Sequence, residues 1–216
     1  MTTRPSPDNK VSTLVLDGAS EKGIKVDYAD PTYGWSDLLG NINRDTGAAA
    51  PSFSPYVGNI KQWQFGANKE VVIEYHLGHD YALGTDIYIH VHWSQIVVDT
   101  GGPGGAPGTA QFDFEVLYAK GHDQAAFPGV ATTLSVTQVA SSTVRKHMIA
   151  EIQLSASAPT ANQIDTGELE PDGMLLVLVR RNGGDTLDQD PFIHEVDIHY
   201  QSNRIATKHR APPFYA

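Results

Sequence analysis

The stretch Gly84-Thr85-Asp86-Ile87-Tyr88-Ile89-His90-Val91-His92-Trp93 decides how this chain folds. Ile87, Ile89, Val91 and Trp93 alternate with Tyr88, His90 and His92. A strand turns successive side chains to opposite faces, so this segment gives one apolar face to a core and one polar, aromatic face to something else. A helix, with its period of about 3.6, would scatter both sets around its axis.

The same alternation recurs on either side. Val71, Ile73, Tyr75 and Leu77 alternate with Val72, Glu74 and His76, and Phe112, Phe114, Val116 and Tyr118 with Asp113, Glu115 and Leu117. Met148, Ala150, Ile152 and Leu154 alternate with Ile149, Glu151 and Gln153. Phe192, Val196, Ile198 and Tyr200 oppose Glu195, Asp197 and His199, with His194 standing in the apolar register. Weaker strands are predicted at Ser12 to Leu16, Gly23 to Val26, Gly58 to Phe65 and Thr132 to Val139. Met174 to Arg180 is apolar on both faces, as in a strand covered from both sides. Turn formers such as Gly78-His79-Asp80, Pro171-Asp172-Gly173 and Asn182-Gly183-Gly184-Asp185 separate these segments. About nine or ten strands divided by turns predict an all-β fold, an antiparallel β-sandwich or jelly roll. Only Trp35 to Asn41 reads as a short helical turn.

Three regions follow from this pattern: an extended N-terminal arm and peripheral segment over 1–55, a sandwich over 56–203, and a C-terminal tail over 204–216 with an aromatic hook. The arm is rich in Pro, Gly and Ala, as in Gly47-Ala48-Ala49-Ala50-Pro51. The loop Asp99 to Ala110, with Gly101-Gly102-Pro103-Gly104-Gly105-Ala106-Pro107-Gly108, offers almost no side chains for packing. It reads as a tip that is flexible or ordered by a neighbour.

Composition narrows the function. The 216 residues include no cysteine, which excludes disulfides, thiolate nucleophiles and cysteine metal sites. No apolar run approaches the roughly 20 residues that span a bilayer, and the polar start Met1 to Lys10 does not read as a secretion signal. A net charge of -10 without basic clusters argues against nucleic-acid or anionic-membrane partners. The 19% charged fraction is low for a protein with long solvated helices and suits strands and loops.

Histidine is the one enriched reactive type, with 9 in the chain. His90 and His92 fall on one face of a strand, which is metal-ligand geometry. Gly84 followed, after five residues, by His-x-His matches the opening of the cupin motif. The glutamate that follows in cupins would fall at Ile96 or Val97, and the later histidine, after Pro171-Asp172-Gly173, at Leu176. Neither can ligate, so the pair reads as strand histidines packing with Tyr88 and Trp93 or bonding across the sheet, and no metal ligand is assigned. His76 and His79 straddle a strand end, and Glu195, Asp197 and His199 form a polar strand face. No Gly-x-Ser-x-Gly elbow and no phosphate-binding loop occur, so no catalytic residue and no cofactor are assigned. Pro212-Pro213-Phe214-Tyr215 matches a WW-domain ligand pattern, but reads better as a hook docking Phe214 and Tyr215 on a sandwich. The basic residues Arg204, Lys208, His209 and Arg210 before it would suit an acidic surface such as Asp185, Asp188 and Asp190 on another chain.

Several stretches together resemble a family of bacteriophage virion structural proteins. They are Lys22 to Asp27, Gly34 to Gly40, His79-Asp80-Tyr81 with Gly84 to Trp93, Tyr118 to His122, and Val196 to Gln201 leading to Ala211-Pro212-Pro213-Phe214-Tyr215. The resemblance implies a virion component assembled in a bacterial cytoplasm and carries no catalytic residue. Among such components, capsid decoration or cement proteins suit the sequence best: sandwiches, often trimers, that bind the outer shell through arms and termini. The expected partners are further copies of the chain, as a homotrimer, and the major capsid protein or other virion proteins. The residues expected to bind them are Pro5, Pro7, Trp35, Arg204, Arg210, Pro212, Pro213, Phe214 and Tyr215. Two rivals stay open: a tail or head-fibre component that binds other virion proteins such as a tail tube, or host glycan through Trp63, Trp93 and Tyr88, and a cupin-like metal enzyme using His90 and His92.

Overall fold

Every alternating segment forms a strand, and in each the apolar set builds the core. The computed structural model describes residues 33–40, 42, 47–203, 210 and 212, and the backbone of 13–15 and 25–27. The chain divides into two compact units, Met1–Gly34 and Trp35–Ala216. In the first, β1 (Thr13–Val15) and β2 (Lys25–Asp27) pair antiparallel. The second continues with β3 (Gly34–Leu39), β4 (Ser52–Val57), β5 (Ile60–Gln64), β6 (Glu70–His76), β7 (Ile87–Ser94) and β8 (Thr109–Ala119). After these come β9 (Thr132–Val139), β10 (Met148–Gln153), β11 (Ser155–Ala156), β12 (Ile164–Asp165), β13 (Met174–Arg181) and β14 (Phe192–Ser202). Among the described residues no helix is long and apolar enough to cross a membrane.

One sheet runs β10-β7-β14-β5-β4, with β3 also beside β14, and the other runs β6-β13-β8-β9. The orders β5-β14-β7-β10 and β6-β13-β8-β9, with the chain passing back and forth between sheets, are those of a jelly-roll sandwich. Ile87, Ile89, Val91 and Trp93 of one sheet meet Ile73, Tyr75, Phe112, Phe114 and Val177 of the other, all essentially without solvent exposure. Each such side chain contributes roughly 1.5–3 kcal/mol by leaving water. The Trp93 and Phe112 rings pack edge to face at 5.9 Å, and Tyr75 donates its hydroxyl to the Val196 carbonyl across the layers at 2.7 Å.

Four sequence expectations change. Trp35 to Leu39 is strand, not helical turn, because pairing with β14 overrides a short local preference. β3 and β4 belong to the larger sheet, so sheet strands begin well before residue 56. β13 is a central strand whose apolar residues Leu175, Val177 and Val179 are buried together with Arg181, while the alternate residues are half-buried. A bulge between Ile193 and Glu195 shifts β14 by one residue. Ile193, rather than His194, therefore stands opposite Trp93, Phe192 falls opposite Ser94, and His194 leaves the apolar register.

The glycine-rich loop is also not a free tip. A β-carbon on Gly101 or Gly108 would lie 2.0 or 2.1 Å from the Thr186 carbonyl oxygen, so the bare backbone is what allows the loop to pack on that segment. Asp99, fully buried, organises the contact. Its Oδ1 accepts from the Gly101 and Gly108 amides at 3.1 and 2.6 Å, and its Oδ2 from the Asp188 and Gln189 amides at 2.9 and 3.3 Å. Beside it Arg181 is also buried, held bidentately by Asp185 at 3.0 Å per bond and by Asp190 at 2.6 Å. The Phe65 and Leu187 carbonyls accept its remaining bonds. Asp185 and Asp190 thus serve Arg181 within the chain and Asp188 accepts from Thr100; the Asp185 side chain is buried, while Asp188 and Asp190 stay at the surface.

Candidate functional site

The described histidines gather in two places. Strand register makes the first. β7 lies between β10 and β14, with Glu151 and Asp197 both opposite His90. One row across the outer face therefore reads Glu151, His90, Asp197, and the next reads Ile149, His92, Glu195. His147 stacks on His92 with centroids 5.0 Å apart, and His199 meets His90 edge to face at 4.7 Å. Trp35 from β3 caps the far side, 4.7 Å from His199 and 5.7 Å from Tyr88.

Asp197 sits at the centre of this face with its carboxylate only 3% exposed. Its Oδ1 is 3.0 Å from His92 Nε2, and its Oδ2 is 3.9 Å from His90 Nδ1. The other nitrogen of each ring is engaged as well. His90 Nε2–H donates to Glu151 Oε2 at 2.8 Å, and His92 Nδ1 lies 2.8 Å from His147 Nε2. Burial pushes the Asp197 carboxyl above its ordinary value; the His92 and His90 charges pull it down, while Asp37 pushes it up. Further along, Ser94 Oγ lies 2.8 Å from both His194 Nε2 and the Tyr56 hydroxyl. Burial holds the His194 imidazole below its ordinary value, with the His147 and His92 charges adding to the effect.

The second gathering surrounds Asp172, whose positive φ of 61° belongs to the Pro171-Asp172-Gly173 turn. His79 and His76 approach its Oδ1 at 2.9 and 3.2 Å, and His122 its Oδ2 at 2.7 Å. Desolvation pulls this carboxyl upward, but the His122 bond and the charges and bond of His79 and His76 outweigh it and hold it below its ordinary value. A shallow depression lined by Lys120, Phe127 and Met174 opens beside it.

Exposed apolar side chains mark another region. β5 pairs with β14 only at Trp63 and Gln64, so Ile60 to Gln62 have β4 alone beside them among the described strands. At the tip of this hairpin Val57 and Ile60 face each other and are exposed, as are Phe53 on β4 and Leu39 and Trp35 on β3.

Of the residues expected to bind partners, Trp35 is exposed on the outer sheet face, Arg210 is exposed and Pro212 half-buried. Pro5, Pro7, Arg204, Pro213, Phe214 and Tyr215 lie outside the described residues. Of the glycan candidates, Trp93 is a correction: it is fully buried, with its indole N–H donated to Gln138 at 2.7 Å, and no ligand can reach it. Trp63 is half-buried against Phe53, and Tyr88 lies beneath Trp35. The pairing of His90 and His92 with Asp197 and Glu151 was not visible as a site in the sequence; only the strand register reveals it.

No protein-family model and no curated protein matches the chain. Among solved structures it is similar to the xylan-binding module CBM15, at 12% identity and TM-score 0.35, covering 78% of this chain and 97% of that one. It is also similar to TmCBM61, solved in complex with β-1,4-galactotriose, at 11% identity and TM-score 0.29, covering 77% and 88%.

Proposed function

We propose that this chain is a structural component of a bacteriophage particle, a jelly-roll protein that decorates the outer capsid shell and holds neighbouring subunits together. The observation that carries the reading is the apolar hairpin β4–β5. Its tip residues Val57 and Ile60 are 43% and 60% exposed, and Phe53 is 55% exposed. A strand pair that ends in unburied aliphatic side chains suits burial against another chain. The resemblance of Gly84 to Trp93 and of the other quoted stretches to virion structural proteins supports the same reading. Function then resides in contact surfaces, and the chain is not an enzyme. The terminal segments, with Pro5, Pro7, Arg204 and the Pro212 to Tyr215 hook, are proposed to add contacts to the capsid protein and to further copies in a trimer.

The test is a co-sedimentation assay with capsid shells assembled without this chain. The unsubstituted protein is expected to pellet with the shells. The double variant Val57→Lys with Ile60→Lys changes exposed positions, so its stability should stay within about 0.5 kcal/mol. Its shell binding is expected to fall at least about tenfold, which corresponds to about 1.4 kcal/mol. Undiminished binding by the folded variant would remove the hairpin from the interface.

A further inference from the structure

We propose that His90, His92 and Asp197 form a binding site for one divalent transition-metal ion of the zinc class on the outer face of the larger sheet. The inference does not rest on the virion reading. It begins from distances. In a tetrahedral site with metal–ligand bonds of about 2.0–2.1 Å, ligand atoms stand roughly 3.4 Å apart. His92 Nε2 lies 3.0 Å from Asp197 Oδ1 and His90 Nδ1 lies 3.9 Å from the other carboxylate oxygen, Oδ2, so each ring brings a nitrogen to the same carboxylate at close to that spacing. The three residues can present one ligand atom each with all three within 4.8 Å of one another. Adjacent strands set this up: His90 and His92 share a face of β7, and Asp197 stands opposite His90 on β14.

The tautomers point the same way. His90 Nε2 must carry a hydrogen to donate to Glu151, so in the neutral ring the lone pair lies on Nδ1 and faces the Asp197 carboxylate. Two electron-rich groups facing each other in a dry setting call for a cation between them. Ligating histidines characteristically hand their second nitrogen to an outer acceptor, and here Glu151 serves His90 and His147 serves His92. Two imidazoles and one carboxylate favour zinc-like ions over calcium or magnesium, which take oxygen ligands. A second triad, His90, Glu151 and His199, shares His90. It is the weaker cage, because the Glu151 side chain is 56% exposed and is placed to orient His90. The Asp172 cluster differs in kind: its three rings converge on one carboxylate from an open turn.

The experiment uses the full chain without a histidine tag, stripped with a chelator and titrated with Zn2+ by calorimetry. One equivalent per chain should bind saturably and raise the thermal midpoint. Asp197→Asn and His92→Gln should each abolish this binding, Glu151→Gln should weaken it about 10–100-fold, and His122→Gln in the other cluster should leave it unchanged. Absence of saturable binding to the unsubstituted protein, which needs no variant to fold, would overturn the proposal. Binding that survives both Asp197→Asn and His92→Gln would also overturn it, as would loss in Glu151→Gln with retention in Asp197→Asn.

Discussion

Asp99→Ala is expected to lower folding stability by about 3–5 kcal/mol, among the largest effects of any single change in this chain. The carboxylate accepts from the amides of Gly101, Gly108, Asp188 and Gln189, and no solvent reaches it. Alanine would leave those amides without their acceptor in a place where water cannot substitute, each at a cost of about 1–3 kcal/mol before relaxation. Asp99→Asn should fall between, because one oxygen remains but an NH2 group now meets amides that also donate. Denaturant unfolding of both variants checks the order. A loss under about 1 kcal/mol for Asp99→Ala would show that the loop holds itself without the carboxylate.

Arg181→Met is expected to cost a similar amount, about 3–5 kcal/mol, because it strands the Asp185 carboxylate, itself only 2% exposed, without its cation. The loss should exceed that of a surface pair because the bidentate bonds at 3.0 Å lie inside the protein. The double variant Arg181→Met with Asp185→Leu should recover part of it, since removing both charges also removes their desolvation cost. Thermal and denaturant unfolding of the single and double variants measures this. If the double variant were no more stable than Arg181→Met, the penalty would not come from a stranded charge.

The residues that signalled the fold did so because their signal is local. A strand with one face on a core must alternate, and Ile87 to Trp93 or Val71 to Leu77 alternate whatever they pair with. β3 lacked that signal: Trp35, Asp37 and Leu39 share a face that is apolar, charged and apolar in turn, and only β14 beside them makes the segment extended. The bulge in β14 left one mark in the sequence, the histidine at 194 in an apolar register, whose cause becomes visible only with β7 alongside. The glycine loop differs from its sequence expectation for a physical reason. Missing side chains suggested missing contacts, yet at Gly101 and Gly108 the missing β-carbon is what permits contact with Thr186.

The candidate site divides the same way. His90 and His92 are two apart, so their shared face follows from strand geometry alone. Asp197 and Glu151 are distant in sequence, and only antiparallel register brings them to the same ring. The Asp172 cluster depends on a turn residue at positive φ that collects His76, His79 and His122. Spacing along the chain does not encode either convergence.

The proposed place on a phage particle is tested most directly by a three-dimensional reconstruction of the virion that contains this chain. Density for the jelly roll is expected on the outer capsid surface, in many copies that follow the shell symmetry, with the β4–β5 hairpin tip buried against a neighbouring subunit. Particles whose capsid lacks this chain altogether, or a chain present only at the tail, would contradict it.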